Sequence, residues 1–95
     1  MTNETNQALT PASAELLCEY ADDAGNWSGM PLVGGNVGGT KEDRGNLTDL
    51  KVKGFIHTFE DIDDDGTSWV VFEQLAVDWL NANHPREGGW GWLIN

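Results

Sequence analysis

Basic residues are scarce in this chain: five Lys and Arg stand against sixteen Asp and Glu in 95 residues, for a formal net charge of −11. So acidic a chain repels nucleic acid and anionic membrane surfaces at long range, and affinity for a polyanion must come from a local reversal of charge. Cysteine is limited to Cys18, which excludes an internal disulfide and fits a reducing compartment. That thiol falls on the apolar side of a helical pattern with no His or Asp placed to activate it, so it reads as an inert packing group. Long hydrophobic runs are missing too. The longest, Trp69–Phe72, is far too short to cross a bilayer. The first nine residues are polar, lack the pattern of a secretory leader, and read as a disordered lead. Histidine is limited to His57 and His84, neither with ligand-spaced partners. No Ser/His/Asp, Cys/His or paired-carboxylate arrangement stands out. The expectation is a protein that is not an enzyme, takes no metal or other cofactor, and has no membrane partner.

What is present suffices for one small domain. The apolar fraction is 39%, and five Trp and three Phe supply much of the packing area. Thr10-Pro11 is a helix start, a hydroxyl cap followed by proline at the first helical position. Ala14, Leu17, Cys18 and Ala21 then keep helical spacing, which predicts a helix over 11–24 ended by Gly25. Residues 26–33 read as an irregular or extended segment anchored by Trp27. The run GGNVGG at 34–39 is too glycine-rich for a stable helix and fits neither the G-x-G-x-x-G nor the Walker spacing. It reads as a tight bend, not a phosphate cradle.

Thr40 and Asp43 form a T-x-x-D capping box, so a helix over 41–53 should begin at Lys41. Leu47, Leu50 and Gly54 cluster on one side of that helix. Lys41, Arg44, Thr48 and Lys51 fall within an arc of about 80° on another. Four of the five basic residues lie in this stretch; residues 40–54 carry +1 and the rest of the chain −12. This is the local reversal that the composition demands of a polyanion binder.

Phe55–Glu60 alternates, with Phe55, His57 and Phe59 pointing one way, and Ser68–Phe72 is rich in strand formers. With Gly66 between them they predict a hairpin over 55–60 and 68–72. Its tip carries Asp61, Asp63, Asp64 and Asp65. Asp61-x-Asp63-x-Asp65-Gly66 matches the first half of a calcium loop, but the twelfth position is Phe72 and the flanks read as strands. A solvated acidic tip is the expectation. Phe72, Leu75, Ala76, Trp79 and Leu80 mark a helix over 73–82, stopped by Asn83-His84-Pro85. Leu17, Leu47, Leu50, Ile56, Trp69, Val71, Leu75 and Trp79 are the expected core. The Gly/Trp-rich tail over 84–95 offers Trp90, Trp92, Leu93 and Ile94, too apolar to stay solvated. They should pack on their own domain or form an oligomer contact.

The order helix, short segment, helix, hairpin, helix, with Leu47-x-x-Leu50-x-x-x-Gly54-x-Ile56 leading into the first strand, resembles the winged helix-turn-helix fold of many bacterial and phage transcription regulators. GNWSG, PLVGG and GNLTDLK look similar to segments of small proteins of actinobacteria and their phages. The resemblance covers about residues 10–83. It implies an α+β winged-helix domain with about three helices and a two-stranded wing, in the cytoplasm of a bacterial host. It also implies a recognition helix presenting Lys41, Arg44, Thr48 and Lys51 to DNA, in a monomer or homodimer. Two departures are visible: GGNVGG stands at 34–39, where the motif's second helix belongs near 32–38, and the wing tip is acidic. The acidic residues Asp61, Asp63, Asp64 and Asp65 therefore offer an alternative, a surface that engages a basic host protein or imitates DNA.

Overall fold

Proline and a hydroxyl cap begin the first helix as the sequence predicts. In the computed structural model, which describes residues 9–61 and 67–94, α1 runs Pro11–Asp23 and the Thr10 side chain accepts from the Ser13 amide at 3.1 Å. Gly25 does not end it. The chain tightens into a 3-10 turn, Ala24–Trp27, and the left-handed positions fall on Ser28 and Gly29. The second helix, α2, spans Lys41–Val52 with both halves of the capping box made. Gly54 is not part of its core face: at φ 83° it ends the helix. Its N–H reaches the Lys51 carbonyl, and Phe55 N–H reaches Leu50, a Schellman closure that explains the spacing of Leu50, Gly54 and the strand.

Strands β1, Ile56–Asp61, and β2, Thr67–Phe72, pair antiparallel with Ile56 opposite Phe72 and Phe59 opposite Trp69. Residues 62–66, hence Asp63, Asp64, Asp65 and the calcium-loop match, lie outside the described residues. α3 covers Gln74–Asn83, and a second 3-10 turn covers Gly91–Ile94. The described residues thus form an α+β arrangement of three helices and a two-stranded antiparallel sheet. No helix among the described residues is long and apolar enough to cross a membrane. The stretch 32–38 holds no helix. Instead Val33 donates to Ser68 and Val70 to Pro31, which lays this segment along β2, and Val33 and Val37 bridge across the glycine bend.

One apolar cluster unites Leu16, Leu17 and Tyr20 of α1, Leu47 and Leu50 of α2, Ile56, Val70 and Phe72 of the sheet, Ala76, Val77 and Leu80 of α3, and Trp90 and Leu93. The parity of β2 is the reverse of the expected one. Val70 and Phe72 face the helices, whereas Trp69 and Val71 are half-buried on the other face, where Trp27 meets Trp69 edge-on at 5.5 Å. Because SWVVF is apolar at both parities, alternation could not choose. On α3, Leu75 and Trp79 flank the contact, and the smaller Ala76 and Val77 occupy it with Leu80. Phe55 is buried, but it precedes the strand; within β1, His57 and Phe59 point to solvent.

Asp23 ties the end of α1 to the loops after it. Its carboxylate accepts from Trp27 Nε1 at 2.8 Å, Asn26 at 2.9 Å and Asn36 at 3.0 Å. Burial pushes its pKa up, but the hydrogen bonds from Asn36, Asn26 and Trp27 outweigh burial and hold it below the usual value. A depressed carboxylate contributes stability that is present above its unfolded pKa and is lost as the pH falls through its folded value. Asp23→Asn should therefore cost about 1–3 kcal/mol at pH 7. The gap to wild type should close as the pH drops below about 4. Urea unfolding from pH 7 to pH 3 checks this; a gap independent of pH would contradict it.

Candidate nucleic-acid interface

The α2 surface is set by what holds the helix from behind. Leu47 and Leu50 enter the core. On the flank toward α1, the buried Ser13 hydroxyl donates to Asp49 at 2.8 Å, and Lys53 reaches the same carboxylate at 3.2 Å. Two of the acids that could cancel a basic stripe are thereby engaged elsewhere: Asp49 with Ser13 and Lys53, Asp43 with the Thr40 cap. Lys41, Arg44, Thr48 and Lys51 are all exposed. Among the described residues, Lys41, Arg44 and Lys51 make no ion pair. A cation with no internal partner keeps its charge available to phosphate oxygens.

Thr48 is more constrained than its sequence position suggests. Its hydroxyl donates to the Arg44 carbonyl one turn back at 3.1 Å. Its proton is committed, so toward a ligand it serves as an acceptor only. Sequence reasoning missed Val52. It is 78% exposed, and at about 100° per residue it falls some 40° from Thr48, on the rim of the basic face. An exposed β-branched methyl pair beside cations is the chemistry that meets a thymine methyl. Helical spacing places Val52 beside the stripe, but its exposure depends on what packs next to it. Gly45 adds no side chain to the same face and has open space above it.

The chain also carries an acidic face that its sequence did not single out. Glu15, Glu19 and Asp22 follow one side of α1 at i, i+4 and i+7, and all three are exposed. With Glu42 and Asp43 they rim two shallow grooves between α1 and the start of α2. Desolvation first, then the Glu15 and Asp43 carboxylates, hold the Glu19 pKa above its usual value. The half-buried Cys18 thiol beside them is likewise pushed up, by burial and then by Asp22, Glu19 and Glu15, which disfavours the reactive thiolate. Among the described residues, no group of three His, Cys, Asp or Glu is placed to hold a metal ion.

The tail residues fall into two groups. Trp90 and Leu93 are buried in their own domain, Trp92 is partly covered, and Ile94 is exposed. His84 pairs with Asp22 at 3.1 Å and stacks on Trp90, while Arg86 lies 5.0 Å from the Trp90 ring and 5.4 Å from the Trp92 ring. The one basic residue outside α2 and its exit is thus committed to aromatic faces. No family model, curated protein or solved structure matches the chain.

Proposed function

We propose that this chain is a small winged-helix DNA-binding protein, of the kind phages and bacteria use for regulation, and that α2 is its recognition helix. The observation that carries the reading is the exposed stripe of Lys41, Arg44 and Lys51, which make no ion pair among the described residues, on a helix braced by the core and by Asp49. In an otherwise acidic chain, such a stripe gives a polyanion one orientation in which to approach. Lys41 and Lys51 serve phosphates and Arg44 a phosphate or a guanine edge, while Thr48 accepts from a base amine and Val52 meets a methyl. The hairpin directly after α2, and the segment 31–33 paired onto β2, support the winged-helix layout. The missing helix at 32–38 makes it a reduced version.

A band-shift at low and at physiological salt tests the proposal. Binding at low salt that weakens steeply at physiological salt is the expected result. The same assay weighs a second reading, favoured by the acidic face of Glu15, Glu19, Asp22 and Asp43: a module that engages a basic host protein. In that case no retardation of DNA appears at either salt concentration. A Lys-rich peptide is captured instead, and Glu15→Gln with Glu19→Gln releases it.

A further inference from the structure

Among the described residues no strand pairs with the outer edge of β1, and its hydrogen-bonding parity can be read from its neighbours. Glu73 N–H donates to the Phe55 carbonyl, so residues 55, 57, 59 and 61 turn their backbone groups toward β2. The outward bonds of Ser68 and Val70 to the segment 31–33 fix the same alternation from the other side. Ile56, Thr58 and Glu60 therefore aim their N–H and C=O groups away from the sheet. Among the described residues nothing pairs with them. Edges like this are usually blunted by proline, a bulge or a covering element, and IHTFED has no proline. The strand also displays Phe59, 54% exposed, next to half-buried Trp69.

We propose that β1 pairs antiparallel with β1 of a second copy about a two-fold axis through Phe59, joining two hairpins into one continuous sheet. The strand is complementary to itself in this register. Thr58 of each copy exchanges both backbone bonds with Glu60 of the other. The threonine hydroxyl then stands opposite a carboxylate to which it can donate a hydrogen bond. The two Phe59 rings form the central non-hydrogen-bonded pair, where side chains approach most closely, and cover each other's exposed faces. The register centred on Thr58 would set Ile56 against a carboxylate and leave Phe59 opposite His57, so it is disfavoured. One strand edge buries less than a standard interface, and two chains of −11 repel, so the dimer is weak and tightens with salt. DNA binding by a monomer would not touch this inference, nor would its failure touch the dimer.

Sedimentation equilibrium at ~1 mM protein tests it. Dimer should be present in 0.5 M salt and scarcer in 0.05 M. Thr58→Pro removes an outward N–H without breaking the β2 ladder, and Phe59→Lys places like charges across the axis; each should weaken association at least about tenfold with the far-ultraviolet spectrum unchanged. Should the proline variant lose structure, a cysteine variant decides. In a Cys18→Ser background, Phe59→Cys should oxidise to a covalent dimer, as a non-hydrogen-bonded pair allows, whereas Glu42→Cys should not. A wild type that stays monomeric in 0.5 M salt overturns the proposal, as does a Phe59→Cys chain that oxidises no faster than the Glu42→Cys control.

Discussion

Trp90→Ala is expected to lower the melting temperature by about 15–30 °C, a loss of about 3–5 kcal/mol. Trp90 is 2% exposed and sits in the same apolar cluster as Leu17 and Leu80. Its polar atoms are also used: the indole N–H donates to the His84 carbonyl at 2.6 Å, and the Asn81 side chain accepts its amide at 2.9 Å. Truncation leaves a cavity under α3, removes the platform for His84 and Arg86, and strips the His84 carbonyl of its indole donor, while the backbone amide keeps its bond to Asn81. Ile94, 39% exposed, is the control, and Ile94→Ala should move the melting point by no more than a few degrees. Differential scanning calorimetry of the two variants checks the contrast. Equal melting points would show that the tail is not part of the domain's core.

Gly38→Ala should cost about 2–4 kcal/mol, far more than Gly34→Ala. Both glycines hold positive φ, 85° and 78°, so both substitutions carry the left-handed penalty of about 1 kcal/mol. At Gly34 the new methyl meets open space. At Gly38 it would lie 1.9 Å from the Tyr20 hydroxyl and 2.8 Å from the ring carbon bearing it. Tyr20→Phe should recover part of the loss, since the closer overlap is with the oxygen. Taken by itself, Tyr20→Phe should be neutral or stabilising by up to about 1 kcal/mol. Among the described residues the buried hydroxyl has no hydrogen-bond partner of ordinary geometry. Burial, then the Asp43 charge, pushes its pKa up to about 12, with only the Gly34 backbone opposing. Urea denaturation of the four variants measures these differences. Equal losses at Gly34 and Gly38 would contradict the close packing of the glycine bend against α1.

The elements with local causes were legible. Thr10-Pro11 and the Thr40–Asp43 box set two helix starts through bonds within four residues, and the hairpin followed from alternation plus a turn. What escaped depended on contacts between distant segments. The parity of SWVVF was decided by the helices on one face and by Trp27 and the tail on the other. No local pattern records such a choice. Gly25 looked like a helix stop, but Asp23, by gathering Asn26, Trp27 and Asn36, favours another turn before Ser28 and Gly29 take the left-handed positions. At the candidate interface, the basic stripe was legible because helical spacing alone places its members. The committed Thr48 proton and the exposure of Val52 were not, since both follow from details of one helical turn and from what packs beside it. The acidic grooves were not legible either, because Glu15, Glu19 and Asp22 of α1 join Glu42 and Asp43 in one surface only once α2 lies alongside.

The most direct test is the salt dependence of DNA affinity, measured by fluorescence polarisation on one duplex for wild type and for Arg44→Ala/Lys51→Ala. Both residues are exposed and make no ion pair among the described residues, so the double variant should fold and melt like wild type. Each phosphate contact contributes about 0.9 to the slope of log affinity against log salt. If both residues touch phosphates, the variant's slope should be shallower by about two units, with weaker binding at low salt. Identical slopes for the two proteins, or no affinity of the wild type at low salt, would contradict recognition of DNA by α2.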